Sequence, residues 1–321
     1  MRLLLIKTSS LGDVVHNLPV VADVLQHVPQ ATIDWVVEES FADIPRLHPR
    51  VRRVIPVALR RWRGALWHRA TWREVDQFMR DLKTEEYDLV LDTQGLLKSA
   101  VLGMLARGQR HGQDFRSARE MPASFFYERR FRVMRGRHAV VRNRDLAAQA
   151  IGYGFPTSPP DYGLRLPKEG LPENLREPYV LCLHGTSRES KRWPRPYWMS
   201  LAKDLLNRGF TPVFPWGNDA ERANALSIAT SAFGTVVLPR LPLRRLALVI
   251  DRARAVVGVD TGLAHLAAAL ARPTVAIYTD TSPHLTGILP SDETLGVNLG
   301  DAHHIPMPAE VRTALTGLKV L

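Results

Sequence analysis

The chain has 321 residues, 45% of them hydrophobic and 23% charged, which is typical of a soluble globular protein with about two domains. No apolar run reaches the roughly 18 residues of a membrane span, and the first apolar run is too short for a signal peptide. The single cysteine, Cys182, excludes an intramolecular disulfide and fits a reducing cytoplasm. The net charge is +11, and nine arginines without an acidic residue at positions 46–73 indicate an anionic partner, either nucleic acid, an acidic membrane surface or an acidic substrate, unless this stretch is only a solvated loop.

A polar turn at residues 7–13 separates the first predicted strand from the first predicted helix. The unbroken apolar run at residues 3–6 predicts a strand buried on both faces of a parallel sheet. Apolar residues at helical spacing predict a helix over residues 14–28, and Pro19 predicts a kink or the end of its first segment. Because open α/β sheets bind ligands at the carboxyl ends of their strands, Asp13 is a candidate functional residue. The alternative is that Asp13 only caps the helix.

The rest of the first half alternates between predicted strands and helices. The strands are predicted at residues 32–37, 54–57 and 89–92, and the helices at residues 72–82, 98–106 and 143–151. Pro56 indicates that its strand ends there or lies at the edge of the sheet. Residues 107–137 are basic and aromatic without a clear period, so we expect loops and short helices there.

A proline-rich stretch then divides the chain. Six prolines between residues 154 and 178 predict a linker at 156–178, between a first domain at 1–155 and a second at 179–321. The second domain is predicted to contain strands at residues 179–183, 211–214, 236–238, 255–259 and 274–278, and helices at residues 197–207, 219–229, 243–253, 263–270 and 308–318. Two such series predict an α/β protein with two doubly wound domains and a ligand cleft between their strand ends.

Two strand ends in the second half carry candidate anion-binding residues. The turn at residues 260–262 lies between a predicted strand and a predicted helix, where unpaired N–H donors and the helix dipole favour phosphate. Two hydroxyls and a lysine at residues 186–191 follow another strand, and the two turns together fit a diphosphate. Trp216, after a third strand, offers a surface for a flat ring. The alternatives are an unused helix N-terminus and, for His265, a packed core histidine.

Several common motifs do not occur in this sequence. It has no G-x-G-x-x-G, P-loop, Asp-x-Asp or Cys-x-x-Cys motif. The missing glycine motifs disfavour a dinucleotide-dependent dehydrogenase and argue against a P-loop NTPase. Without an Asp-x-Asp or Cys-x-x-Cys motif, the sequence shows no spacing typical of metal ligands. A nucleic-acid-binding protein would fit the basic charge, but the chain contains no recognisable recognition module.

Seven short motifs, spread in order over nearly the whole chain, resemble those of the lipopolysaccharide heptosyltransferases. They are KTSSLGDVVH at 7–16, DWVVEE at 34–39, RRWR at 60–63, QGLLKSA at 94–100, KRWP at 191–194, PWG at 215–217 and DTGLAH at 260–265. The motifs at 35–39 and 60–63 favour the first heptosyltransferase of the pathway over the second. Arg192 departs from the family pattern, which has histidine there, but it lies beside Lys191 and should not remove the phosphate contact.

This resemblance implies a GT-B fold, in which two Rossmann-like doubly wound domains face a central cleft. It implies inverting transfer of L-glycero-D-manno-heptose from ADP-heptose to Kdo-lipid A, without a metal or another cofactor. The expected location is the cytoplasm, peripheral on the cytoplasmic face of the inner membrane. Neither nucleic acid nor an obligate protein partner is expected. A related inverting transferase that uses another nucleotide sugar is the main alternative.

The resemblance also assigns roles to individual residues. Asp13 would be the general base. The donor would be bound by Thr186, Ser187, Lys191, Trp216, Gly217, Glu221, Asp260, Thr261, Gly262 and His265. The acceptor would be bound by Ser10, Arg60, Arg61, Arg63, Lys98 and Arg119. No residue is assigned to a metal.

The chemistry of these residue types agrees with the assigned roles. Inverting transfer needs one base, and the leaving ADP can be stabilised by Lys191 and helix N–H groups. Arginines bind the carboxylates and phosphates of such an acceptor bidentately. Trp62, Trp67 and Trp72 would lie at the lipid–water boundary.

Overall fold

The computed structural model describes residues 1–173 and 175–321, and it divides into two units, Met1–Arg165 and Leu166–Leu321. The division lies within the predicted linker at 156–178, of which residue 174 is outside the described residues. The beginning of that stretch is part of the first unit, where Arg144 Nη1 donates to the carbonyl of Ser158 at 2.7 Å. A Cβ atom on Gly163 would lie only 2.2 Å from His48 Nε2, so the backbone at Gly163 packs directly against the His48 ring.

The first unit, all of whose residues are described, contains one parallel sheet with flanking helices. Its strands are β1 Arg2–Ile6, β2 Thr32–Glu38, β3 Val51–Val57, β4 Glu86–Asp92, β5 Arg107–Gln113 and β6 Arg129–Phe131, in the order β3-β2-β1-β4-β5-β6. Its helices are α1 Leu11–Val15, α2 Leu18–His27, α3 Asp43–Arg46, α4 Leu59–Arg63, α5 Arg69–Lys83, α6 Leu97–Leu105 and α7 Ala139–Ile151, with 3₁₀ turns at Glu39–Phe41 and Met121–Phe126.

The apolar residues of β1 explain why this strand lies in the middle of the sheet. Its last four residues are fully buried. Leu4 and Ile6 belong to a cluster that includes Phe78 of α5 and Leu102 of α6. The helix predicted over 14–28 is divided into α1 and α2, and Pro19 lies in the first turn of α2, as its fixed φ angle and missing N–H group favour. The predicted edge position of the strand that contains Pro56 is also confirmed.

The prediction of loops and short helices at 107–137 holds for the 3₁₀ turn and the connections around it, but it is wrong where β5 and β6 lie. The sequence of β5, RGQRHGQ, contains no apolar residue, so it lacks the periodicity by which strands are recognised. Main-chain pairing with β4 holds it in the sheet. The ring of Tyr127 packs so closely on Gly112 that a Cβ atom there would lie 2.4 Å from it.

The described part of the second unit repeats the same topology. Its strands are β7 Tyr179–Leu183, β8 Thr211–Phe214, β9 Val236–Val237, β10 Ala255–Val259, β11 Thr274–Ile277 and β12 Gly296–Leu299, in the order β12-β11-β10-β7-β8-β9. Its helices are α8 Arg195–Asn207, α9 Asp219–Ser231, α10 Leu243–Arg252, α11 Gly262–Ala269, α12 Pro283–Thr286 and α13 Pro308–Gly317, with 3₁₀ turns at Glu189–Lys191 and Glu293–Leu295. The bounds of β7, β8 and β10 agree with the prediction, whereas β12 was not predicted.

Both sheets are doubly wound, and this determines where ligands can bind. In the first, β1 and β4 are neighbours, and the strand order reverses between them. In the second, β7 and β10 occupy the equivalent positions. Ligands of open α/β sheets bind outside the carboxyl ends of the strands at this switch point. The predicted α/β class with two doubly wound domains is confirmed. In the part of the chain that the structure describes, no helix has the length and apolar character needed to cross a bilayer.

Candidate active site

The turn after β1 is tied to the turn after β4 by buried hydrogen bonds. Lys7 Nζ donates to the carbonyl of Thr93 at 2.8 Å. The side-chain oxygen of Gln94 accepts from the backbone N–H groups of Thr8 and Ser9, at 3.1 and 3.2 Å. The polar turn at residues 7–13 and the turn after β4 therefore form one connected polar surface at the first switch point.

Asp13 lies on this surface at the third position of α1. Its Oδ2 accepts from the backbone N–H of Ser10 at 2.7 Å and from the Ser10 hydroxyl at 3.3 Å, so Asp13 does cap the short helix. Arg119 Nη1 lies 3.8 Å from the same oxygen. The Asp13 side chain is 26% exposed, and none of these three contacts uses Oδ1. The capping role is thus compatible with a chemical role for the carboxylate.

Several basic groups surround Asp13. Lys98 Nζ donates to the Ser9 hydroxyl at 3.1 Å, so Lys98, at the start of α6, contacts the turn that contains Ser10. Burial lowers the pKa of Lys7 to about 8, although Asp13 and Asp92 act to raise it. Burial also lowers the pKa of Arg142, and its Nε has no hydrogen-bond partner among the described residues. Sequence reasoning missed Arg142, because no local pattern in α7 marks an inward-facing arginine.

Asp92, at the end of β4, shapes the neighbouring turn. Its Oδ1 accepts from the backbone N–H groups of Gln94 and Gly95, and its Oδ2 accepts from Tyr127 Oη at 2.7 Å. Burial raises the pKa of Asp92. Gly95 has a φ of +67°, which residues with a side chain rarely adopt. Because both oxygens of Asp92 accept hydrogen bonds, Asp92 positions the turn, and Asp13 is the partly exposed carboxylate of this site.

The three predicted acceptor arginines on α4 differ in their contacts. Arg61 binds Glu39 through two parallel hydrogen bonds of 2.9 Å and also contacts Glu74 at 2.8 Å. Arg60 donates its backbone N–H to Glu38, and its guanidinium lies 5.5 Å from the ring centre of Phe41. The Arg63 side chain is exposed at the end of the same helix. Acidic residues outside the arginine-rich stretch therefore balance the charge of Arg61.

At the second switch point, the turns after β7 and β10 meet at Asp260. Lys191 Nζ lies 2.6 Å from Asp260 Oδ2, and Thr186 Oγ1 donates to the Asp260 carbonyl at 3.0 Å. Thr281, which sequence analysis did not select, also donates to Asp260 Oδ2, at 2.6 Å. Trp193 is buried and donates to the carbonyl of Pro306, which anchors the chain just after Lys191. The structure thus brings the predicted donor residues Thr186 and Lys191 together with Asp260, which is distant from both in sequence.

The amino end of α11 lies beside this cluster. Thr261 precedes the helix in an extended conformation, and within the described chain its side chain makes no capping hydrogen bond. A Cβ atom on Gly258 would lie 3.1 Å from the Leu183 Cβ, so the end of β10 packs closely against β7. Ser187 is exposed in the turn after β7, whereas His265 is buried in α11. Gly262 begins the helix, whose N–H groups and dipole are suited to an anion.

Glu221 and Trp216 form a second group of predicted donor residues. Glu221 Oε2 accepts from the backbone N–H of Gly217 at 2.7 Å, and its carboxylate lies so close to Gly185 that a Cβ atom there would be 2.6 Å away. Trp216 donates to the carbonyl of Leu238 at 2.7 Å. The guanidinium of Arg222 covers one face of the Trp216 ring at 5.5 Å. A cavity of about 380 Å³ borders Glu221 on the side of His184.

The titratable side chains of residues 1–173 and 175–321 include no group of three His, Cys, Asp or Glu that could hold a metal ion. At the second switch point the charged pair is Lys191 and Asp260. The chemistry available there is that of a cation, hydroxyls and N–H donors close to the Asp260 carboxylate, while Asp280 accepts a hydrogen bond from the Ser190 hydroxyl at 2.7 Å.

Comparison with known proteins gives consistent matches. The sequence model of glycosyltransferase family 9 (heptosyltransferase) matches residues 75–313. Lipopolysaccharide heptosyltransferase 1 of Pseudomonas aeruginosa is 49% identical over 289 residues, or 89% of this chain and 81% of that protein. The solved structure of E. coli heptosyltransferase WaaC with ADP has a TM-score of 0.89 and 38% identity, covering 99% of this chain and 100% of the other. WaaC with ADP-2-deoxy-2-fluoro heptose has a TM-score of 0.85 and 38% identity, with 98% and 99% covered. The expected GT-B type of architecture is therefore confirmed.

Proposed function

The chain belongs to glycosyltransferase family 9, the heptosyltransferases, as its motifs predicted, and on this premise we propose that it transfers L-glycero-D-manno-heptose from ADP-heptose to the Kdo of Kdo-lipid A. The donor is supported by similar structures that were solved with ADP and with ADP-2-deoxy-2-fluoro heptose. The observation that carries the proposal is the cluster of Lys191, Thr186 and Asp260 at the second switch point, because it fits a diphosphate.

The second unit binds the donor in this proposal. Lys191 supplies a positive charge, which its ion pair with Asp260 partly offsets, and the amino end of α11 supplies N–H donors and about half a charge. Thr186, Ser187, Thr261 and Gly262 offer further donors to the diphosphate. Asp260 would repel a diphosphate directly, so we assign it to holding Lys191, to which it is already bound at 2.6 Å. Trp216, Gly217, Glu221 and His265 complete the donor side.

The first unit supplies the base. Asp13 accepts the proton of the acceptor hydroxyl while that oxygen forms a bond to the anomeric carbon of heptose. The bond between this carbon and the diphosphate oxygen breaks, its electron pair leaves with ADP, and the configuration inverts. The developing negative charge on ADP is met by Lys191 and the N–H groups of α11, and the transition state resembles an oxocarbenium ion. No metal is assigned a part in this step.

The basic surface of the first unit binds the acceptor. Kdo-lipid A carries carboxylates and phosphates, to which arginine binds bidentately. Ser10, Lys98 and Arg119 lie on or next to the turn that holds Asp13. Arg60, Arg61 and Arg63 lie on α4. Because the acceptor is a lipid, the proposal places the enzyme peripherally on the cytoplasmic face of the inner membrane.

Arg63→Ala should raise the KM for Kdo-lipid A by about tenfold and leave the KM for ADP-heptose unchanged. A charge-assisted contact contributes about 1.5 kcal/mol or more where it is shielded from water, and less where it is exposed. Arg61→Ala should raise the same KM, but it also leaves Glu39 and Glu74 without their shared partner, so its thermal stability should fall as well. Steady-state kinetics with each substrate varied in turn measures both effects.

The matched control is Arg107→Ala. Arg107 is exposed at the amino end of β5, the opposite end of the sheet from the switch point. Its loss should leave both KM values unchanged. If Arg63→Ala instead raises the KM for ADP-heptose, the arginines of α4 do not belong to the acceptor side.

Incubation with ADP-heptose and Kdo-lipid A tests the proposed function directly. Mass spectrometry should show the addition of one heptosyl residue to the acceptor and the release of ADP. Competition with other nucleotide sugars distinguishes the proposal from a related transferase with a different donor. Binding of nucleic acid without any transfer would instead support the alternative that the basic charge left open.

A further inference from the structure

Three large apolar side chains are exposed within seven residues of the first unit. Trp67 is 97% exposed and Leu66 50%, both in the connection between α4 and α5, and Trp72, in the first turn of α5, is 59% exposed. Trp62 differs, since it is 8% exposed and packs on Phe78 with its Nε1 donating to Glu74 at 2.8 Å. The expectation that all three tryptophans lie at a lipid–water boundary is therefore wrong for Trp62. Only the other two are accessible.

Hydrogen bonds hold this connection in an ordered form. Trp72 Nε1 donates to the carbonyl of Leu66 at 2.9 Å, and the Thr71 hydroxyl donates to the carbonyl of Ala65 at 2.8 Å. The backbone N–H of His68 donates to the same Ala65 carbonyl at 3.1 Å. These contacts turn the chain so that the indole of Trp67 extends away from the unit.

Exposed cations surround the apolar side chains. The exposed arginines nearest in sequence are Arg60, Arg61, Arg63, Arg69 and Arg73. Positions 46–73 contain no acidic residue. Of the nearest acidic side chains beyond them, Glu74 is bound to Arg61 and Asp76 is bound to Arg80. The net charge of this surface is therefore positive, which complements an anionic partner.

We propose that residues 65–73, here called the Trp67 surface, dock on an anionic phospholipid bilayer. Leu66, Trp67 and Trp72 enter the headgroup region, where amphipathic aromatic rings are preferred. Arg69 and Arg73 lie at the lipid phosphates, and both contributions add to the affinity. This proposal rests on the proposed function, because it is the lipid acceptor of that function that brings the protein to a membrane. Binding of this surface to lipid needs neither donor nor acceptor.

Vesicle sedimentation tests the proposal with the full chain and without substrates. The protein should bind vesicles of phosphatidylcholine mixed with phosphatidylglycerol, bind pure phosphatidylcholine much less, and dissociate as salt is added. The double variant Leu66→Ser/Trp67→Ser should lose about tenfold or more in vesicle affinity, because binding scales with the apolar area inserted. Its transfer activity on an acceptor without acyl chains should be unchanged, which also shows that the variant is folded.

Phe233→Ser is the matched control. Phe233 is 100% exposed in the second unit, and residues 223–239 around it contain no charged side chain. This variant should bind vesicles like the wild type. A second measurement uses vesicles with brominated acyl chains, which should quench tryptophan emission, whereas Trp67→Phe should remain bound and lose part of that quenching, because Trp72 is still present.

Two results would overturn the proposal. One is wild-type affinity of Leu66→Ser/Trp67→Ser for the anionic vesicles. The other is concentration-dependent self-association of the wild type that the same variant abolishes, since the Trp67 surface would then be covered by a second copy. Failure of heptosyl transfer in the product assay, with vesicle binding intact, would contradict the proposed function and leave this surface assignment standing.

Discussion

Asp13→Asn is expected to lower the turnover of heptosyl transfer by about a hundredfold or more, the usual contribution of a positioned base. The amide cannot take the proton of the acceptor hydroxyl. Its oxygen can still accept the Ser10 N–H group, so the helix cap should persist and the variant should remain folded. The measurement is kcat with ADP-heptose and Kdo-lipid A, together with thermal unfolding.

Two controls separate catalysis from capping. ADP affinity, measured by calorimetry, should be unchanged in Asp13→Asn, because the proposed donor residues all belong to the second unit. Asp114→Asn alters another turn-capping carboxylate of the first unit, which accepts from the backbone N–H of Ser117 at 2.8 Å. That variant should keep its turnover. Near-normal turnover of Asp13→Asn would reduce Asp13 to a helix cap.

Lys191→Ala is expected to lose about 2–4 kcal/mol of transition-state stabilisation, by analogy with the loss of an oxyanion donor. This corresponds to a fall of roughly 30- to 1,000-fold in kcat/KM. The charge on ADP is larger in the transition state than in the bound donor, so kcat should fall as well as donor affinity. Lys203→Ala, which removes an exposed lysine of α8, should have no such effect.

The pairing of Lys191 with Asp260 makes a further measurement possible. Without Lys191, the Asp260 carboxylate keeps its bond to Thr281 but loses the cation that balances its charge. Combining Lys191→Ala with Asp260→Asn should therefore recover part of the lost rate, because the two residues are coupled. Strictly additive losses would mean that Asp260 does not act through Lys191.

Transfer by the wild type is expected to persist in excess EDTA, because Lys191 and the N–H groups of α11 are assigned to the charge of the leaving diphosphate. Initial rates with and without the chelator measure this. Activity that disappears with EDTA and returns with magnesium would contradict the assignment and make Asp260 a metal ligand.

The sequence by itself determined the central strands and the position of the candidate site. β1, β7 and β10 are short apolar runs, and such runs are typical of strands buried on both faces of a parallel sheet. The polar residues that follow them had to lie at the carboxyl ends of those strands, where doubly wound sheets bind ligands. Asp13, Lys191 and Asp260 could be selected for this reason, and the seven motifs then indicated the family.

The tertiary structure alone decided which of these residues meet and which side chains are exposed. β5 carries no apolar signal and exists because β4 offers it a pairing edge. Lys191 reaches Asp260 across 69 residues, and the partners of Arg61 lie outside its arginine-rich stretch. Trp62 and Trp67 occur in that same stretch, yet one packs against α5 and the other is almost fully exposed. Local periodicity cannot distinguish such cases, because the burial and pairing of a side chain depend on elements that are distant in sequence and are brought together only by packing.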